Sequence, residues 1–429
     1  MSNSFFIYTF FYFFVILSTL GYGLIINTIV ASKKQNLNLG YSGIYGFFFL
    51  IIYSYLSNFF IPHEKTHNLI FLLIGICFSV YLISKYFKII KKDLIILISI
   101  FLILFFGFIL FKNHDDFSYY HFPYSYLLTQ NDLLLGLGQF GHGFRTPSSI
   151  FYINSIFYLP FVNYNLFHIS PILIMGFVNF IFLSTLIKTS KYENNFNTFY
   201  CLLALLFINI FFYRISEHGT DRSAQILIFL LIYEIILFTN ITNKNKNSLN
   251  NFYIVLGLII SLKAFYIIYI VFLIPIIIYL VKEYEIKNGL KILLYNFSFP
   301  FFIILISLVL ITNLFNTGCF IYPASFTCFE IFDWSISTDQ VDRMKQWYEQ
   351  WSKAGATPNF RVENPAEYIE NFNWVENWIS LYFFNKISDF LLGLIFASII
   401  IFLIFRSKDK NRNKNNYYLY YIYFIIILL

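Results

Sequence analysis

The chain has 429 residues, 59% of them hydrophobic and only 12% charged, with a net charge of +7 and a mean hydropathy of +0.68. A water-soluble globule carries about 25% charged residues, so a soluble enzyme is excluded. The lysines lie in short stretches between apolar runs and do not form the concentrated basic face that nucleic acid binding needs. Aromatic residues reach 23%, with 58 Phe and 35 Tyr; beside abundant Ile, Asn and Lys this reads as compositional bias and carries no functional weight.

Apolar runs of about 18 residues or more can cross a roughly 30 Å hydrocarbon core. A crossing segment must be helical, because no water is present there to satisfy its backbone. The expected fold is an all-α polytopic membrane protein with about 12 transmembrane helices. They fall roughly at 5–27, 41–60, 68–84, 93–111, 168–187, 197–213, 223–240, 250–262, 264–281, 295–313, 386–405 and 416–429. This gives an N-terminal four-helix membrane segment (1–111), a first extracytoplasmic loop (112–167), central membrane helices (168–313), a second extracytoplasmic loop (314–385) and C-terminal helices (386–429). Met1 to Ser4 carries no positive charge and the first apolar run is too long for the core of a cleavable signal peptide.

Basic residues mark alternate connections. Lys33 and Lys34 follow the first run, and Lys85, Lys88, Lys91 and Lys92 the third. Lys188 and Lys191, then Lys244 and Lys246, then Lys282, Lys287 and Lys291 come later, before "RSKDKNRNK" at 406–414. Read as cytoplasmic, they place the N-terminus and both long loops outside a bacterial inner membrane. The parity requires two crossings in "NNFYIVLGLIISLKAFYIIYIVFLIPIIIYLV" (250–281), which measures about 48 Å as one helix. A break at Ser261-Leu262-Lys263 gives two short helices with Lys263 near the outer surface. A single tilted helix would leave Lys263 to snorkel and would lose the charge bias.

The two long loops exceed ordinary helix connections. In the first, "SSIFYINSIFYLPFV" is apolar but short, an interfacial helix or a re-entrant piece. In the second, Cys319 and Cys328 stand nine residues apart in "NTGCFIYPASFTCF", and an oxidising compartment would join them. Cys77 and Cys201 lie in apolar runs and read as packing residues. Asp339 to Ser352 is expected to form an amphipathic helix with Trp347 and Trp351 on one face. It would pack on the membrane domain, or serve as a lid or acceptor groove. Trp374 and Trp378 repeat the spacing and read as interfacial anchors. The final "NNYYLYYIYFIIILL" is either a marginal last span or a cut end.

Charges near a bilayer are costly unless paired or functional. The outward connections collect several. "HDDFSYYHFPYSYLL" opens the first loop with Asp115 and Asp116, and "GQFGHGFRTPSS" carries His142 and Arg145. "YRISEHGTDRSAQ" holds Arg214, Glu217, His218, Asp221 and Arg222, and Lys263 stands at the expected helix break. A carboxylate can take the proton of an attacking hydroxyl, or hold a metal ion facing a phosphate. Arg and Lys can stabilise charge developing on a phosphate leaving group. A sugar joined to a lipid phosphate would meet both at the bilayer surface. The plainer alternatives are that Asp115-Asp116 stops a helix, that Glu217 and Asp221 pair with Arg214 and Arg222, and that each histidine is structural. Neither a CxxC pair nor a His-x-x-x-His spacing points to a structural metal site.

These residues resemble those of the GT-C class of integral-membrane glycosyltransferases, including the protein O-mannosyltransferase-like and lipid-A aminoarabinose transferase-like groups. Asp115-Asp116 in "HDDFSYYHFP" is similar to the acidic element of that class's first large outer loop, and "GLIISLKAF" (Gly257 to Phe265) to its G…K segment between two short helices. The class places its acidic loop after the first span, and here it follows the fourth. The resemblance covers about residues 93–380. It implies transfer of a sugar from a polyprenyl-phosphate donor to a lipid, glycan or protein acceptor. Asp115 or Asp116 would be the base, and Lys263, Arg145 or Arg222 would contact the phosphate, with Arg214, Glu217, Asp221 and His142 nearby. A divalent metal cofactor is left open. The competing readings are an O-antigen or capsule-type polymerase and a transporter or flippase. A transporter would carry charges at mid-membrane in two related halves; only Glu234, inside the run 223–240, stands out in that way.

Overall fold

A computed structural model of the chain describes residues 2–30, 37–110, 116–189, 196–212, 219–240, 246–357 and 360–404. The helices in chain order are α1 (Ser2–Val30), α2 (Leu39–Asn58), α3 (Lys65–Ile109), α4 (Phe122–Gln130), α5 (Ser149–Ile156), α6 (Ile169–Thr189), α7 (Phe196–Phe211) and α8 (Gly219–Asn240). They continue as α9 (Lys246–Leu262), α10 (Leu273–Glu283), α11 (Ile286–Leu294), α12 (Ser298–Thr317), α13 (Thr338–Ser352), α14 (Pro365–Ile369), α15 (Val375–Trp378) and α16 (Ser388–Ile404). A two-stranded antiparallel ribbon, β1 (Ala356–Thr357) with β2 (Phe360–Arg361), interrupts the helical pattern.

Among the described residues, seven helices are long and apolar enough to cross a membrane, or eight if the bent pair at 375–385 and 388–399 is one span. About 12 were expected, and the difference has several sources. Two causes lie in the described residues, and the expected span at 416–429 lies outside them. First, α7 and α9 have 16 and 17 residues, short for an ordinary crossing. Second, the spans expected at 68–84 and 93–111 are one continuous helix of 45 residues, α3. No Gly or Pro lies between Gly75 and Gly107, so nothing breaks the hydrogen-bond ladder at the lysines.

α3 bends. The Tyr22 hydroxyl donates to the Phe71 carbonyl at 2.7 Å, and the Tyr12 hydroxyl to the Phe101 carbonyl at 2.9 Å. Residues 71 and 101 would stand about 45 Å apart on a straight helix, whereas residues 12 and 22 lie about 15 Å apart along α1. Lys85, Lys88, Lys91 and Lys92 occupy the exposed midsection between those contacts.

Small residues set the closest helix contacts. An added Cβ at Gly23 would lie 1.5 Å from the Ser42 carbonyl oxygen, and one at Gly46 would lie 1.8 Å from that of Thr19. Such close approach is the usual basis of association where lipid supplies no hydrophobic drive. Polar side chains tie the same layer: Asn27 donates to Ser42 Oγ at 2.8 Å and Asn38 to Ser184 Oγ at 3.2 Å.

The first half of the segment at 149–163 is α5, a short helix inside the bundle. Every residue of α5 is buried, and the helix packs against α2, α4, α6 and α9. At eight residues it is about 12 Å long and cannot span.

Both long loops gather at one end of the bundle. Asn58 at the end of α2 donates to the carbonyls of Leu128 (3.3 Å) and Asn131 (3.1 Å). Tyr8 near the start of α1 reaches the Asn165 carbonyl at 3.2 Å, and Ser261 near the end of α9 donates to Ser149 Oγ at 2.9 Å. The second loop docks there too. Gln139 donates to the carbonyls of Trp334 (3.1 Å) and Ser335 (3.2 Å), and Asn316 donates to that of Phe144. Cys319 and Cys328 form a disulfide with an S–S distance of 2.04 Å, beside a small buried cluster with Tyr322, Ile336 and Val341. Cys201 is buried, but Cys77 is exposed on α3, because the buried stripe of that helix passes through Gly75 and Ser79 instead.

Candidate functional site

The loop end of the bundle opens into a cavity of about 870 Å³. Its mouth is polar, with Asp116, Tyr120, His121, Asp221, Arg222 and Lys263. Its depth is apolar and lies between α7, α8 and α16. On α8 the lining residues Asp221, Gln225, Ile228 and Ile232 recur every three or four positions, so one helix face runs from charge to hydrocarbon over about 16 Å. Ile387, just before α16, and Phe390, Leu391 and Leu394 in its first turns repeat that periodicity on the facing wall.

Each polar residue reaches the mouth for a local reason. Asp116 precedes a π-helical turn, Phe117–His121, that leads into α4. Asp221 and Arg222 stand in the first turn of α8, where the helix dipole favours a carboxylate. Lys263 sits where α9 ends, with extended backbone (φ −154°, ψ 134°), before a 3₁₀ segment at Ala264–Phe272. Pro275 lies just beyond, in the first turn of α10. It cannot donate to the carbonyl four residues back, and β-branched and aromatic residues before it are weak helix formers. α9 ends at Leu262 and Lys263 is extended, so the run 250–281 does not continue as one helix.

The mouth is organised around an ion pair. Lys263 Nζ lies 2.6 Å from Asp221 Oδ1, and both side chains are partly exposed. Tyr266 donates its hydroxyl to the same carboxylate at 2.7 Å. The Arg222 guanidinium lies over the Phe212 ring at 4.9 Å and the Phe390 ring at 5.9 Å. Asp116 receives the Tyr120 hydroxyl at 3.4 Å. Burial, and then the charges of Asp116 and Asp221, raise the Tyr120 hydroxyl well above its usual range, so it stays protonated and remains a donor.

Of the residues singled out from the sequence, Asp116, Asp221, Arg222 and Lys263 line this one cavity. Asp115, Arg214 and Glu217 lie outside the described residues. Arg145 is not part of the cavity lining. It donates to the Gly138 carbonyl (3.1 Å) and to the Tyr322 hydroxyl (3.2 Å), which fastens the first loop to the disulfide-closed turn. His142 also stands apart, with the Tyr119 hydroxyl at 3.3 Å from Nδ1 and the Trp347 ring at 5.8 Å. Glu234 is fully buried away from the cavity and accepts hydrogen bonds from Tyr41 and from Ser248 at 2.9 Å, the partnering that a buried carboxylate needs.

With this geometry in place, the family is clear. The chain belongs to the family described as a domain of unknown function (DUF8201), whose model matches residues 5–429. No curated protein and no solved structure matches the chain.

Tyr120, Tyr266, Trp378 and the α16 face were not singled out as site residues. The spacing 387, 390, 391, 394 is visible in the sequence, but only the fold turns that face toward α8. Among the described residues, no group of three or more His, Cys, Asp or Glu is arranged to hold a metal ion. The mouth brings two cations, Lys263 and Arg222, together with the carboxylates of Asp116 and Asp221, and the rest of the lining is mostly apolar.

Proposed function

We propose that the protein is a membrane glycosyltransferase that takes a sugar from a polyprenyl-phosphate donor. The observation that carries this reading is the single cavity whose charged mouth continues into an apolar shaft. A lipid phosphate would place its head at Lys263 and Arg222 and its chain along α8 and α16. A hydroxyl of a lipid, glycan or protein acceptor would approach beside Asp116. In the transfer, the bond between the sugar's anomeric carbon and the phosphate oxygen breaks, and its electron pair leaves with the lipid phosphate. The acceptor oxygen bonds to that carbon and its proton passes to Asp116. Lys263 and Arg222 stabilise the charge left on the phosphate. Asp221 holds Lys263 in place until the phosphate arrives. Lys188, Lys282, Lys287 and Lys291 lie toward the opposite end of the bundle, so the positive-inside rule puts that end in the cytoplasm and the cavity mouth outside a bacterial inner membrane.

The test uses the purified protein in nanodiscs with a mixture of polyprenyl-phosphate sugars and measures release of polyprenyl phosphate. Asp116→Asn is expected to lower turnover by about 10²–10⁴-fold with the melting temperature unchanged. A parallel reaction with chelator separates metal-assisted from metal-independent transfer. A protein that neither binds polyprenyl phosphate nor turns over any of the donors would sink the reading.

A further inference from the structure

Outside the cavity, the fold builds a row of aromatic rings from three separate stretches of chain. The Tyr119 ring lies 5.3 Å from that of His142, His142 lies 5.8 Å from Trp347, and Trp347 lies 5.3 Å from Trp351. Tyr119 is 49% exposed and Trp351 41%, so the two ends of the row remain open. The inner end continues to the proposed base: Tyr119 is edge-on to Tyr120 at 5.8 Å, and Tyr120 donates to Asp116.

We infer that this row is a binding site for a carbohydrate chain. A pyranose ring has an apolar C–H face and a rim of hydroxyl groups. Aromatic faces present negative quadrupole charge that attracts polarised C–H groups. The Tyr119 hydroxyl and His142 Nδ1, 3.3 Å apart, and the second ring nitrogen of His142 supply hydrogen-bonding groups at the edge. A lipid chain fits less well, because the row lies on the long loops and on α13, outside the candidate spans. α13 also carries the exposed charges Asp342, Arg343 and Lys345 next to its tryptophans. The row would hold a saccharide with one end directed toward Asp116. Calling it the acceptor rests on the transferase reading; the binding itself does not.

The test is made without donor. The protein in nanodiscs is titrated with linear hexasaccharides of glucose, mannose and N-acetylglucosamine, and tryptophan fluorescence and calorimetry are read. At least one hexasaccharide is expected to bind. Trp347→Ala and His142→Ala, checked for an unchanged melting temperature, are expected to weaken it at least tenfold. Brominated lipids are used in parallel to quench tryptophan fluorescence. No binding of any hexasaccharide, or binding unchanged in both variants, overturns the inference. So does strong lipid quenching that is lost in Trp347→Ala, which would make the row a membrane anchor. Because no donor is present, a failure here leaves the turnover experiment untouched, and a failure of turnover leaves this result standing.

Discussion

The α1–α2–α3 layer and the α7–α8–α16 layer contain apolar helices of similar composition, yet one closes tightly and the other stays open. In the first, Gly23 and Gly46 let backbones touch at distances that no side chain could tolerate. In the second, Phe207, Phe229, Phe390 and Leu391 stand between the helices and leave a cavity. Side-chain size at the crossing points decides which helices form scaffold and which form a site. Hydrophobicity alone does not, because lipid and leucine are equally apolar.

Three changes would break or sharpen that contrast. The largest effect is expected from Gly23→Leu, which drives a side chain into the backbone of α2. It should cost about 3 kcal/mol or more, read as loss of folded protein in size-exclusion and thermal unfolding. A wild-type melting temperature would show that the layers are not as close as described.

The next concerns the corner where α2 turns into α3. His63 is buried between Ser57 Oγ (2.8 Å) and Ser155 Oγ (2.6 Å). Burial, then the charge of His67, lowers its pKa from 6.5 to about 3. The unfolded chain therefore binds a proton between those values that the folded chain refuses, so this contribution to stability falls as pH drops from 6.5 toward about 3. His63→Gln should flatten that part of the curve of melting temperature against pH. An unchanged slope would show that His63 is not the group responsible.

The smallest effect on folding is expected from Leu391→Trp in the open layer. Filling the cavity should leave stability unchanged or raise it by about 0.5–2 kcal/mol, while binding of polyprenyl phosphate drops at least tenfold. Binding at the wild-type level would place the lipid elsewhere.

Much of the site was legible in the sequence for a simple reason. A charge at the end of an apolar run is expensive, so Asp116, Asp221, Arg222 and Lys263 stood out before any fold was known. Their convergence did not. Asp221 and Lys263 are 42 positions apart (263 − 221) and meet at 2.6 Å, because α8 and α9 run as an antiparallel pair. Arg145 and His142 carried the same local signal, yet their partners, Tyr322 and Trp347, come from the second loop. No local pattern distinguishes an arginine that lines a cavity from one that fastens two loops.

The sequence by itself determined the class of the protein. Long apolar runs can only be helices in lipid, and basic residues in their connections bias the orientation. It also marked the break at Lys263, inside a run too long for one ordinary span and short for two. The tertiary structure alone decided three things: that α3 is one bent helix, that α5 is buried among other helices, and which charges share a cavity. Each depends on contacts between residues far apart in the chain. Hydropathy reports the cost of placing a residue in lipid and is blind to which other helix will cover it.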